Sequence, residues 1–190
     1  MKEGTTRVID LQTDDWLAFG LFLQFSYFGI YLYDENQKED ALMVHASVYV
    51  LSEKIEALDL KTLALKTATN LCVLAGTAGE VETGLVKILQ FALPETVRII
   101  YDRTYDTNTG KFPDTKAQSS TADACSTSSI LRDGFRLLLA KFAAAHVTTL
   151  RQNESFMVIL EAFPAFAADI MLFILAGNAL TTNGEGNLEF

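Results

Sequence analysis

From Trp16 to Tyr33 the chain runs for 18 residues without a charged side chain, dense in Phe and Tyr and relieved only by Gly20, Gln24, Ser26 and Gly29. A stretch of this length stands at the lower edge of what crosses a bilayer as a helix. Its flanks argue against that use. Asp14 and Asp15 precede it, Asp34 and Glu35 follow it, and there is no Lys or Arg belt to set an orientation. The segment therefore reads as a helix buried in a core or at a subunit interface. A pair of strands remains the alternative, because a continuous apolar run carries no period. Thr13 and the two aspartates suit the free N–H groups at a helix start. Since aromatic side chains concentrate at interfaces, Trp16, Phe19, Phe22 and Phe28 are the expected contacts between copies.

The composition points the same way. The 190 residues are 49% apolar, with a mean hydropathy of +0.20, which excludes intrinsic disorder and leaves more apolar side chain than one core needs. That length makes one domain, taken as 1–180, followed by a polar tail, 181–190. Fifteen basic against twenty-four acidic residues give a net charge of −9, which does not advertise nucleic acid or an anionic membrane as a partner. Cys72 and Cys125 lack metal-ligand spacing and read as buried free thiols. Met1 to Asp15 has no apolar core of a signal peptide, so cytoplasmic synthesis or a virion-like assembly is the expected setting.

Helical spacing dominates the remainder. Lys38 to Leu58 is amphipathic through Leu42, Ala46, Tyr49 and Val50; Asp59 is placed to cap a helix that keeps one face to Gly76. Thr77-Ala78-Gly79-Glu80 forms a capping box ahead of Ile88, Leu89 and Ala92. Pro94 suits the first turn of a short helix with Val97, Ile100 and Tyr101 inside. Tyr105 to Ser128, rich in Ser, Thr and Asp, is the one long loop, expected to act as an inter-subunit arm or surface lid. Spacing resumes at Leu131, Phe135, Leu138 and Phe142. Thr149 to Gln152 reads as a second capping box, Pro164 as a break, and Ala165 to Ala176 as a last, very apolar helix ended by Gly177. The expected fold is thus an all-α bundle of six or seven helices.

Catalytic patterns do not emerge. His45 and His146 lie far apart and neither follows a carboxylate at the third position before it, so a di-metal bundle site has no support; no cofactor and no metal are expected. Glu161 and Asp169 interrupt the two most apolar C-terminal stretches; if buried they must be paired or protonated and are functional candidates, and the plainer reading is the narrow solvent-facing or subunit-facing stripe of amphipathic helices. Basic charge is concentrated. Arg98 to Arg151 holds eight basic and five acidic residues. Arg132 and Arg136 share a helix face, and with Arg98 or Arg103 they are the residues that would grip phosphate if an assembly enclosed nucleic acid. Ion pairing with acids such as Asp102 and Asp133 is the plainer expectation.

These features together lead to an expected non-enzymatic subunit that associates with copies of itself into a large homo-oligomer, a filament or a viral-coat-like shell. A membrane-active or membrane-embedded helical protein, using Trp16 to Tyr33 and Phe156 to Ala176, is the first alternative, although the acidic flanks disfavour a membrane. A helical regulatory domain with an apolar ligand in a Phe-rich interior is the second.

Overall fold

The computed structural model describes residues 15–33, 40–77, 88–104 and 133–176. They form eight helices and no strand among the described residues: α1 (Trp16–Phe28), α2 (Ala41–Lys54), α3 (Leu58–Thr77), α4 (Leu93–Arg103), α5 (Gly134–Ala145), α6 (Val147–Leu150), α7 (Glu154–Ala162) and α8 (Pro164–Ala176). A π turn, Ile88–Ala92, leads directly into α4. The fold is all-α and a single domain. The long Ser/Thr loop, the Thr77 to Glu80 capping box beyond Thr77, Arg132, Cys125 and the tail lie outside the described residues.

Apolar run and helix do not coincide at the N-terminus. Asp15 opens α1 by accepting from the Leu17 N–H at 2.9 Å, and Gly29 closes it. At φ 71° Gly29 adopts the left-handed conformation that ends helices, its N–H donating to Phe25 O at 2.7 Å. The 18-residue stretch is therefore a helix of 13 residues, the capping Gly29 and an extended tetrapeptide, Ile30 to Tyr33. Within that tetrapeptide Tyr31 and Tyr33 turn inward onto His45 while Ile30 and Leu32 are exposed, the alternation of an extended chain.

Two further caps differ from expectation. Thr149 lies inside the one-turn helix α6, and α7 is capped by Asn153, whose side chain accepts from the Ser155 N–H at 2.9 Å. An Asx residue in extended geometry outcompetes a Thr already held in a helical turn. With that extra turn the helices among the described residues number eight. Asp59 stands in the first turn of α3 instead of capping it. Pro164 starts α8 as expected of a residue without an N–H, and the chain bends by 108° between α7 and α8.

Helix α5 runs through the middle of the core, with Phe135, Leu138, Leu139 and Phe142 fully enclosed. It packs on α8, α4 and α3; α2 packs on α3, α4 and α1. The succession of contacts α1–α2–α4–α5–α8 places the first and last helices at the two ends of the packing order. Burial of an aliphatic or aromatic side chain contributes about 1.5–3 kcal/mol, so α5 alone anchors much of the fold.

Candidate interaction surface

Helix α1 is apolar on every side, a pattern that ordinarily marks a helix enclosed by protein. Only part of it is enclosed. At 100° per residue, Ala18 and Leu21 fall on the side packed against α2 and are buried. Trp16, Gly20, Leu23 and Tyr27 recur at spacings of four, three and four and form one outward stripe, with Trp16 83% and Tyr27 81% exposed. Phe28, at 75%, and then Ile30 and Leu32 extend the uncovered apolar surface past the helix end. Of the four expected contact residues, Trp16 and Phe28 lie in the open. Phe19 and Phe22 are half-buried on the shoulder, their rings 5.8 Å apart.

The tetrapeptide after α1 is pinned. Tyr31 Oη lies 3.0 Å from His45 Nδ1, both side chains buried, and Gln24 Oε1 accepts from the Leu32 N–H. Burial depresses the His45 imidazole to about 4, so it is neutral near pH 7 and pairs with the phenol as a hydrogen-bonding group. These anchors hold the extended segment and keep Ile30 and Leu32 in water.

A second uncharged face lies on α8. Ala165, Ala168, Met171, Leu172 and Leu175 point outward at helical spacing, opposite the buried Phe166 and Ile170. Leu175 is 77% exposed. Asp169, expected on a solvent-facing or subunit-facing stripe, is instead buried and accepts from Tyr101 Oη at 3.1 Å. In a helix apolar all round the lone acid does not mark the outer face, because a donor across the core can take it in. Glu161, on α7, is exposed as expected.

Three of the four expected arginines lie among the described residues. Arg98 is exposed and lies 3.8 Å from Glu95 on the same helix, and Arg103 is exposed at the end of α4. Arg136 departs from the expected phosphate-facing line: it is buried, donating through Nε to Thr104 Oγ1 at 3.1 Å and through Nη2 to Thr104 O at 2.9 Å and Tyr101 O at 3.4 Å. Its guanidinium also stacks 4.6 Å from the Tyr101 ring centre. The physical reason is the end of α4, whose last carbonyls need donors and carry the negative end of the helix dipole. Asp133, named as an ion-pair partner, caps α5 through the Phe135 and Arg136 N–H groups and accepts from Tyr49 Oη at 2.7 Å, with Lys61 3.9 Å away.

Among the described residues no group of three or more His, Cys, Asp or Glu side chains is placed to hold a metal ion. Burial pushes the Cys72 thiol up to about 12, which leaves it protonated and unreactive. An open depression of about 380 Å³ between the π turn and α7 has walls of mixed polarity, including Phe91, Gln152 and Asn153, and the Asn153 amide donates to Leu89 O at 3.5 Å. Compared with protein families, characterised proteins and solved structures, the chain matches none. Sequence reasoning missed the α8 face and the Arg136–Tyr101–Asp169 assembly. The first carried a signal in its mean hydropathy; the second needed knowledge of which helices meet.

Proposed function

We propose that the chain is a non-enzymatic structural subunit that assembles with copies of itself into a large homo-oligomer, a filament or coat-like shell, through the uncovered face of α1. The observation that carries this reading is the outward stripe of Trp16, Leu23 and Tyr27 on a helix with no charged residue. At about 200 Å² per aromatic side chain, Trp16, Tyr27 and Phe28 offer on the order of 500 Å². With Leu23, Ile30 and Leu32 the face reaches the order of 800 Å² that one side of a standard interface buries. A net charge of −9 makes two copies repel over most of their surface, and an uncharged face is where they approach without that cost. If the assembly encloses nucleic acid, Arg98 and Arg103 are, of the expected phosphate-facing arginines among the described residues, the two at the surface, since Arg136 is taken up inside.

Multi-angle light scattering and negative-stain microscopy on the wild type and on Trp16→Asp with Phe28→Asp test the proposal. The wild type is expected as large particles and the variant as a folded chain of 20.9 kDa. A wild type that stays at that mass at high concentration removes the reading.

Membrane attachment is the second reading, and it has its own observation. No single described helix is long and apolar enough to cross a membrane, but α7 and α8 together pass on length and composition as a bent pair. Co-flotation of the wild type with vesicles in place of self-association would favour it.

A further inference from the structure

We propose that α8 is the second contact of this assembly and receives the α1 face of a neighbouring copy, so that subunits join head to tail. The inference rests on the self-assembly reading above and names what α1 binds. Both helices have 13 residues, about 20 Å, and each leaves an uncharged outer face over its length. The single charge on α8, Asp169, is buried against Tyr101, so nothing ionic stands on the docking face. On a molecule of net charge −9, two such faces are the natural partners of each other.

Relief favours the unlike pair over two like ones. The α1 stripe projects the large rings of Trp16 and Tyr27 around one small residue, Gly20. Ala165 and Ala168 leave the α8 face low at one end, with Met171, Leu172 and Leu175 at the other. With the Trp16 ring on that low ground and Gly20 leaving room for Met171 and Leu172, the unlike faces pack more closely than rings against rings. One heterologous contact also covers both faces of every subunit, whereas an α1–α1 contact leaves α8 in water. The two faces stand at opposite ends of the packing order, α1 on α2 and α8 on α5 and α7. A contact between unlike faces does not close on itself as a two-fold dimer does; it propagates as a ring or an open filament.

Complementary variants decide it. One carries Trp16→Glu and Tyr27→Glu and keeps α8; the other carries Leu172→Glu and Leu175→Glu and keeps α1. Each alone is expected to run as a single chain with wild-type helical circular dichroism. Their equimolar mixture is expected to give a particle of twice the 20.9 kDa chain mass and nothing larger, because one good α1 face then meets one good α8 face. Gln in place of Glu at the same positions serves for any variant that loses helicity. An α8 variant that assembles as the wild type does, either variant forming dimers by itself, or a mixture that stays monomeric each overturns the head-to-tail contact while leaving self-assembly standing. A monomeric wild type overturns both. If that monomer floats with phosphatidylcholine vesicles and the Leu172→Glu, Leu175→Glu variant does not, the α8 face belongs to lipid.

Discussion

Three buried polar residues do more for this fold than their number implies. Arg136 ties α5 to the end of α4, and Tyr101, stacked beneath it, passes the connection to Asp169 on α8. Removing the guanidinium leaves Thr104 O and Tyr101 O without that donor, so Arg136→Ala is expected to cost about 3 kcal/mol, measured by urea unfolding. An effect below about 1 kcal/mol would show that water replaces it. His45 adds a pH dependence with a definite sign. Its folded-state pKa is about 4 against an ordinary 6.5, so the unfolded chain binds the proton first as pH falls. Stability from the neutral imidazole is present above pH 6.5 and drains away towards pH 4. Between pH 7 and 5 the wild type is expected to lose about 2 kcal/mol more than His45→Gln. Equal losses in the two proteins would remove His45 as the cause.

At the scale of elements, ends are set locally and faces are not. Asp15, Asn153 and Asp133 each accept from the N–H groups of a first turn, and Gly29 supplies the left-handed residue that stops α1. Space around Gly29 is open, since a Cβ there meets nothing within 4 Å. Gly29→Ala is therefore expected to cost about 1–2 kcal/mol through backbone strain alone, read as a lower Tm. Gly134 is the contrasting case. A Cβ at that position would lie 2.8 Å from Leu65 Cδ2, where α5 approaches α3. Asp133 ahead of it is held by Tyr49 from α2, so one capping residue also joins two helices.

For the whole molecule, charge and apolar surface act in opposite directions. A chain of net charge −9 that associates through uncharged faces should assemble better as salt screens its self-repulsion. Raising NaCl from about 50 to about 500 mM is expected to shift the light-scattering mass upward, the Debye length falling from well above 10 Å to below 8 Å. Warming from about 5 to 25 °C should act the same way, because apolar association weakens in the cold. Dissociation by salt would instead assign the contact to ion pairs. The α1 and α8 faces lie on helices at opposite ends of the packing order.

The all-α class, the approximate helix positions, Pro164 as a break and the inward faces of α4 and α5 were legible from the sequence, because turn spacing, prolines and large periodic side chains act over a few residues. Val97, Ile100, Tyr101, Phe135, Leu138 and Phe142 are buried as their spacing requires. The uncharged run from Trp16 was legible as a segment needing cover, but its division by Gly29 was not, since an apolar run without a period hides the place where helix gives way to extended chain. Only the tertiary structure decided which sides of α1 and α8 face water. Both helices are apolar around their whole circumference, so their own residues carry no preference for one side, and orientation follows from the neighbours they meet. The same holds for Arg136 and Asp169. A charged side chain enters a core where partners from distant helices converge on it, and Thr104 and Tyr101 are brought to these two residues by the packing of α4 against α5 and of α5 against α8.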